Sequence, residues 1–311
     1  MVQKSSLKPK IIILCGPTGV GKTELAISLA EKINAEIIVA DSQSVLKGFD
    51  IGTAKPSPEE REKISHHLMD VVSYGEPFDA ATFSRLADEV ICSIFSRKKQ
   101  VIVSGGTGLY LKALLFGLME APKRDDKIRE KLEERILKKG MASLYQELQT
   151  LDPKRAKEIH PHDAVRIIRA LEIAELAGKP SDLVKNHGFQ KEKYEALKIG
   201  LTRPREELHQ RINDRVLMML NRGWVEEVKN LMEQGIDLIH GKTKTIGYPT
   251  LARHLKGEIF IKEAIEEIQK ESRKLAKRQM TWFRADKQIQ WFHPDQGEEI
   301  FKKMEAFLHN K

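Results

Sequence analysis

A β-branched apolar run at residues 11–15, IIILC, leads directly into Gly16, Pro17, Thr18, Gly19, Val20, Gly21, Lys22 and Thr23. Helical periodicity follows over residues 23–33. A strand, the string G-x-x-x-x-G-K-[ST] and a helix, in that order, leave few folds open. The glycines let the backbone curl until several N–H groups face one anion, and the helix N-terminus adds its positive dipole end. Lys22 supplies a mobile charge, and the Thr23 hydroxyl is placed to ligate Mg²⁺. The string predicts a polyphosphate site, as in nucleotide-binding and ATP-binding proteins, without saying which polyphosphate.

The rest of the chain fits a sheet around that loop. Residues 36–40 read as a second buried strand ending at Asp41, and residues 101–103 as a third, ending in Ser104, Gly105 and Gly106. Between them residues 78–96 read as a helix with Phe83, Leu86, Val90 and Ile94 on one face. Alternating strands and helices predict an α/β fold: a phosphate-loop NTPase-like parallel sheet covered by helices. From about Met119 the texture becomes charged and rich in helix formers, so residues 119–195 read as a mainly helical insertion domain. Residues 1–118 and 196–311 are then the core. Residues 196–201 return to the sheet, residues 205 onward are mostly helical, and residues 288–292 suit a last strand.

Composition sets limits. The 311 residues carry 41% hydrophobic and 32% charged side chains, which suits a globular chain with a substantial core. A net charge of +8 favours an anionic partner without identifying it. Cys15 and Cys92, the two cysteines, lack metal-ligand spacing and read as buried reduced thiols. The first ten residues are basic but lack the apolar segment and cleavage site of a signal peptide, and no apolar stretch approaches the ~20 residues that span a bilayer. A cytoplasmic, membrane-free monomer is expected.

Two further clusters bear on chemistry. The acid that usually accompanies a phosphate loop is absent after the third strand, and Asp41 is the strand-terminal acid that remains. From its position it suits a metal ligand, a general base or a helix cap, and beside a phosphate loop the general base leads. Thr107, inside Gly105-Gly106-Thr107-Gly108, suits either a donor to a phosphate or an N-cap. Late in the chain Arg273, Lys274, Lys277, Arg278, Arg284 and Lys287 interleave with Trp282 and Phe283. Only Asp286 offsets them between Glu271 and Gln290, a balance that favours a nucleic-acid backbone over a plain solvated face.

These strings together resemble the bacterial tRNA dimethylallyltransferases (tRNA isopentenyltransferases) over nearly the whole chain. The matching stretches are GPTGVGKT (16–23), ADSQSVLKGFDIGTAKP (40–56), SGGTGLYLKALLFG (104–117), HPHDAVRIIRALEI (160–173), LHQRINDRV (208–216), KTIGY (244–248) and KRQMTWFR (277–284). The resemblance implies transfer of a dimethylallyl group from dimethylallyl diphosphate, with Mg²⁺, to the exocyclic N6 amine of the adenosine on the 3′ side of the anticodon. It implies Asp41 as general base, with Thr107 and Arg211 assisting the diphosphate held by the phosphate loop. It implies tRNA contact at Asp41, Ser42, Gln43, Ser44, Thr107, Arg129, Val165, Arg166, Ile167, Ile168, Arg169, Lys244, Gly247, Tyr248, Lys277, Arg278, Gln279 and Arg284, with the anticodon stem-loop as partner.

The chain departs from the family pattern where Leu46 stands for a commoner tyrosine and where Gln43 comes one place early. Three rivals remain. An adenylate isopentenyltransferase shares the loop but needs neither the late basic segment nor the insertion. A small-molecule kinase rests on the loop alone. A non-catalytic RNA-binding protein leaves Lys22, Thr23 and Asp41 unexplained.

Overall fold

The computed structural model describes residues 8–118, 121–187, 192–241 and 245–310. They form two compact units, residues 1–115 with 193–311 and residues 116–192.

The first unit is built on a six-stranded parallel sheet. Its opening half contains β1 (Lys10–Cys15), α1 (Lys22–Ile33), β2 (Ala35–Val39), α2 (Pro58–Lys63), β3 (His66–His67), α3 (Ala80–Ser96), β4 (Gln100–Gly105) and α4 (Gly108–Phe116). The sheet order is β3-β2-β4-β1-β5-β6, with β5 (Glu195–Leu201) and β6 (Gln290–Phe292) supplied by the later half. Ile11, Ile12, Ile13, Ile37, Ile38, Ile102 and Val103 are buried, which explains why these strands read as continuous apolar runs. Pairing of Cys15 with Gly105, and of Val39 with Ser104, brings the ends of β1, β4 and β2 level at one edge. Loops leaving those ends must be neighbours, as in other open parallel sheets.

Helix α3 starts at Ala80, two residues later than the periodicity suggests, because the Asp79 side chain accepts the N–H of Thr82 and caps it. Its buried face carries Phe83, Ala87, Ile91 and Ile94, while Leu86 and Val90 are only half-buried. The small Ala87 permits the closer approach, which rotates the face away from the bulkier pair. Cys92 falls on the outer side and is exposed, contrary to the sequence expectation; Cys15 is buried in β1.

The second unit contains the insertion helices α5 (Asp126–Lys139), α6 (Met141–Leu151), α7 (Pro153–Lys157), α8 (Ala164–Ala177) and α9 (Pro180–His187). They enclose a core that includes Ile128, Leu132, Leu144, Leu148, Ile167 and Leu171. Glu172 is wholly buried among them. It accepts from Arg129, Arg169 and the backbone N–H of Asp125. Burial alone would raise its pKa; the bonds from Arg129, Arg169 and Asp125 outweigh that and hold it at about 2.

The remaining helices of the first unit are α10 (Arg205–Asn221), α11 (Trp224–Glu233), α12 (Tyr248–Leu255), α13 (Ile261–Arg284) and α14 (Gly297–His309). Trp224, Tyr248, Leu251 and Ile268 share a core with Phe49, which anchors the long loop after β2.

Glu172→Gln should destabilise the insertion unit by up to about 3 kcal/mol, towards the low end of the cost of breaking a buried ion pair, because Arg129 and Arg169 are only half-buried. The native carboxylate is favoured above the ordinary glutamate pKa of ~4.3, and its contribution is lost as pH falls towards about 2. Urea unfolding followed by circular dichroism between pH 7 and pH 3 (about those limits) should show wild type converging on the variant at the acid end.

Candidate active site

The phosphate loop follows β1 with Gly16, Gly19 and Gly21 at positive φ. Gly21 caps α1 from the left-handed region with no side-chain hydrogen bond, which leaves the first N–H groups of the helix open to an anion. A Cβ on Gly19 would stand 2.7 Å from the Ile212 side chain, so the loop lies directly on α10. Lys22 is folded back, its Nζ donating to the carbonyls of Gly16 at 2.9 Å and Pro17 at 2.8 Å. Part of Lys22 is open to solvent, but atoms crowd its ammonium closely enough that desolvation lowers its pKa to about 8. Asp41 opposes that shift and Arg215 adds to it. Thr23 sits in the first turn of α1, as a phosphate loop requires.

Asp41 leaves the end of β2 and closes a local turn, accepting the N–H of Gln43 at 2.8 Å. The helix-cap reading fails, because the next helix begins only at Pro58. Thr107 meets this turn: its Oγ1 accepts from the N–H of Ser42 at 3.0 Å, and its own N–H donates to Ala40 O at 3.1 Å. The Thr107 hydroxyl oxygen is thus engaged by the β2 loop, and its proton can be aimed at a ligand oxygen. Gly105 permits the approach, since a Cβ there would stand 2.1 Å from Ala40 O. Ser44 is buried in the same loop, and Gln43 is half-buried.

Three arginines surround the phosphate loop. Arg211 on α10 donates from Nε to Gly19 O at 3.1 Å and is otherwise exposed. One turn on, the half-buried Arg215 donates to the Thr18 hydroxyl at 3.3 Å. Arg203 donates to Val20 O at 2.9 Å and is paired with Glu207. Desolvation lowers the Arg215 pKa, Asp41 supports its charge, and Arg211 with Arg222 opposes it. Sequence reasoning singled out Arg211 and passed over Arg203 and Arg215. The i, i+4 spacing of Arg211 and Arg215 within RINDRV was the available signal.

The other residues expected at the site divide sharply. Lys277, Arg278 and Arg284 are exposed on α13, as a polyanion-binding face requires. Gln279 turns inward instead, with both ends of its amide bonded inside the protein. Tyr248 is wholly buried, its hydroxyl donating to Glu227 at 2.5 Å, and Gly247 backs the Trp224 ring at 2.2 Å from where its Cβ would lie. The Tyr248 side chain packs against Phe49 and Trp224 inside the protein. In the second unit Ile167 and Ile168 are core residues, Arg129 and Arg169 are tied to Glu172, and Val165 and Arg166 are exposed. Lys244 lies outside the described residues.

A parallel sheet with a phosphate loop after β1, an acid after β2 and a glycine-threonine turn after β4 defines the class: an α/β protein of the phosphate-loop type. The family model of IPP transferases matches residues 44–286. The tRNA dimethylallyltransferase of Geobacter metallireducens is 44% identical over 98% of this chain and 100% of its own. That of Syntrophobacter fumaroxidans is 45% identical over 91% of this chain and 83% of its own. The full-length tRNA isopentenylpyrophosphate transferase of Bacillus halodurans superposes with a TM-score of 0.70 at 36% identity, over 97% of each chain. A eukaryotic dimethylallyltransferase acting on tRNA gives a TM-score of 0.74 at 33% identity, over 88% of this chain and 69% of that one. The chain belongs to the IPP transferase family.

Only protonated Lys22 attracts an anion, and its pKa is lowered to about 8. Affinity for inorganic diphosphate, measured by calorimetry, should therefore fall as pH rises through that value. Lys22→Arg stays charged throughout. The ratio of wild-type to Lys22→Arg affinity should decline across this range, and a flat ratio would remove Lys22 from the anion site.

Proposed function

We propose that this chain transfers the dimethylallyl group of dimethylallyl diphosphate to the N6 amine of the adenosine 3′-adjacent to the anticodon in tRNA. The products are N6-isopentenyladenosine and diphosphate. The observation that carries this reading is the convergence of Asp41 and Thr107 beside the phosphate loop, at the level ends of β2, β4 and β1.

The loop N–H groups, Lys22 and Arg211 neutralise the diphosphate, which leaves readily only when its charge is compensated. Thr107 aims its hydroxyl proton at the same group. The adenine amine is a weak nucleophile, and Asp41 orients it and accepts its proton. The N6 nitrogen bonds the allylic carbon as that carbon's bond to the diphosphate oxygen breaks. An adenine must leave its stack to reach a site at the floor of a sheet edge.

Mg²⁺ fits the donors present. Among the described residues no three His, Cys, Asp or Glu side chains converge. The Thr23 hydroxyl would therefore hold Mg²⁺ together with water and diphosphate oxygens, a sparse protein ligation that Mg²⁺ commonly accepts. Bound there, the ion supplies further charge compensation on the leaving group.

Among the described residues no helix is long and apolar enough to cross a membrane. A monomer acting in the cytoplasm on the anticodon stem-loop agrees with this reading. Lys277, Arg278 and Arg284 supply its phosphate-backbone contacts on the exposed face of α13. An adenylate-prenylating enzyme needs no such face. Radiolabelled dimethylallyl diphosphate offered with either tRNA or adenosine monophosphate should label the tRNA alone; labelling of the mononucleotide would overturn the proposal.

Asp41→Asn retains shape but cannot take the proton, so single-turnover transfer should slow by roughly 10²–10⁴ while dimethylallyl diphosphate still binds. Replacing Lys277 and Arg278 with Ala should weaken tRNA binding and reduce its salt dependence by a slope of about one per lost phosphate contact. Filter binding over a salt series and a melting curve check this together. Unchanged slope in a stable variant would move the tRNA surface elsewhere.

A further inference from the structure

Gln279 is the one residue of the basic C-terminal segment whose side chain reaches both glycine loops. Its Oε1 accepts from the backbone N–H of Thr18 at 2.8 Å, and its Nε2 donates to Gly106 O at 3.0 Å. The approach is close: a Cβ on Gly106 would stand 2.3 Å from Nε2. Thr18 belongs to the diphosphate side of the site. Gly106 is joined directly to Thr107, which holds the Ser42 and Ala40 backbone on either side of Asp41. The two halves of the site sit on loops from different strands, and a single carboxamide spans them.

We propose that Gln279 is a positioning residue that sets the spacing between the diphosphate cradle and the base, Asp41. This rests on the transfer reading above. The nucleophile and the leaving group are held by different loops, and in-line displacement requires the amine, the allylic carbon and the departing oxygen to be aligned. Misplacing reacting groups by about 1 Å can cost on the order of 10²-fold in rate. A primary amide suits the task because it accepts at one end and donates at the other. Glutamate accepts from Thr18 but, when ionised, opposes the Gly106 carbonyl. Methionine fills similar space and makes neither bond.

The test uses Gln279→Met and Gln279→Glu in the full chain. In Gln279→Met kcat should fall by about 10- to 100-fold, with affinity for inorganic diphosphate changed less than about threefold, because the loop N–H groups and Lys22 remain. In Gln279→Glu the kcat ratio to wild type should rise as pH is lowered from about 7.5 towards 5, since the protonated acid again accepts and donates. The Gln279→Met ratio should stay flat. Exchange of the Thr18 amide hydrogen should be slow in wild type and fast in Gln279→Met.

A Gln279→Met kcat within about threefold of wild type overturns the proposal. So does a pH-independent Gln279→Glu ratio, because a purely structural contact would give that result. If wild type forms no prenylated tRNA at all, the transfer reading fails instead, and the Thr18 amide decides the bridge. Slow exchange that is freed in Gln279→Met sustains it, and fast exchange in wild type ends it.

Discussion

Parallel pairing of β2, β4 and β1 governs everything reactive in this protein. The register sets Cys15 against Gly105 and Ser104 against Val39, so three chain segments leave the sheet at one level. Sequence separates Thr18, Asp41 and Thr107 widely, yet each lies within a few residues of a strand end. Short connections from neighbouring ends have little room to diverge. Gly105 is part of this constraint: with any side chain there, β4 could not pass the Ala40 carbonyl. The site is thus a consequence of strand order and of where side chains are omitted.

Cations dominate what those loops enclose. Lys22, Arg203, Arg211 and Arg215 all engage atoms of the phosphate loop, and Asp41 is the acid whose field reaches Lys22 and Arg215. In the free protein their N–H donors turn to the carbonyls of Gly16, Pro17, Gly19 and Val20 and to the Thr18 hydroxyl. The lowered pKa of Lys22 reflects first the desolvation of its ammonium, with Asp41 opposing that shift and Arg215 adding to it. A polyanion entering the loop would place counter-charge beside these cations.

Much of this was legible in the sequence. The buried strands announced themselves as β-branched runs, and the phosphate loop carried its own context. What escaped was decided by packing rather than by pattern. Ala87 and Ile91, not Leu86 and Val90, face inward on α3, because a small residue allows closer contact than a large one. Tyr248, Ile167 and Ile168 lie in stretches that match a tRNA-contacting family, yet their side chains are core. A motif records that a segment matters without separating side chains that touch a ligand from those that hold the segment in place. Arg203 and Arg215 were missed because their partners are backbone and hydroxyl oxygens of a loop nearly two hundred positions away.

The glycines of the turn after β4 make the same point from the other side. On sequence alone, Gly106 and Gly108 suggest close approach by a ligand. The approach is by the protein's own α13: Gln279 lies against Gly106, and Trp282, three residues on, lies against Gly108 at 2.1 Å from where a Cβ would stand. An i, i+3 pair shares one helix face, so Gln279 and Trp282 both face the turn after β4, although Trp282, like Lys277, Arg278, Thr281 and Arg284, is also exposed to solvent. The basic face and the side chains that meet this turn therefore belong to one rigid helix. A polyanion held by the outer face is located with respect to the phosphate loop through α13 itself, with no flexible linker between. The same twenty-four-residue element thus carries both the exposed basic face and the side chain that reaches the two glycine loops.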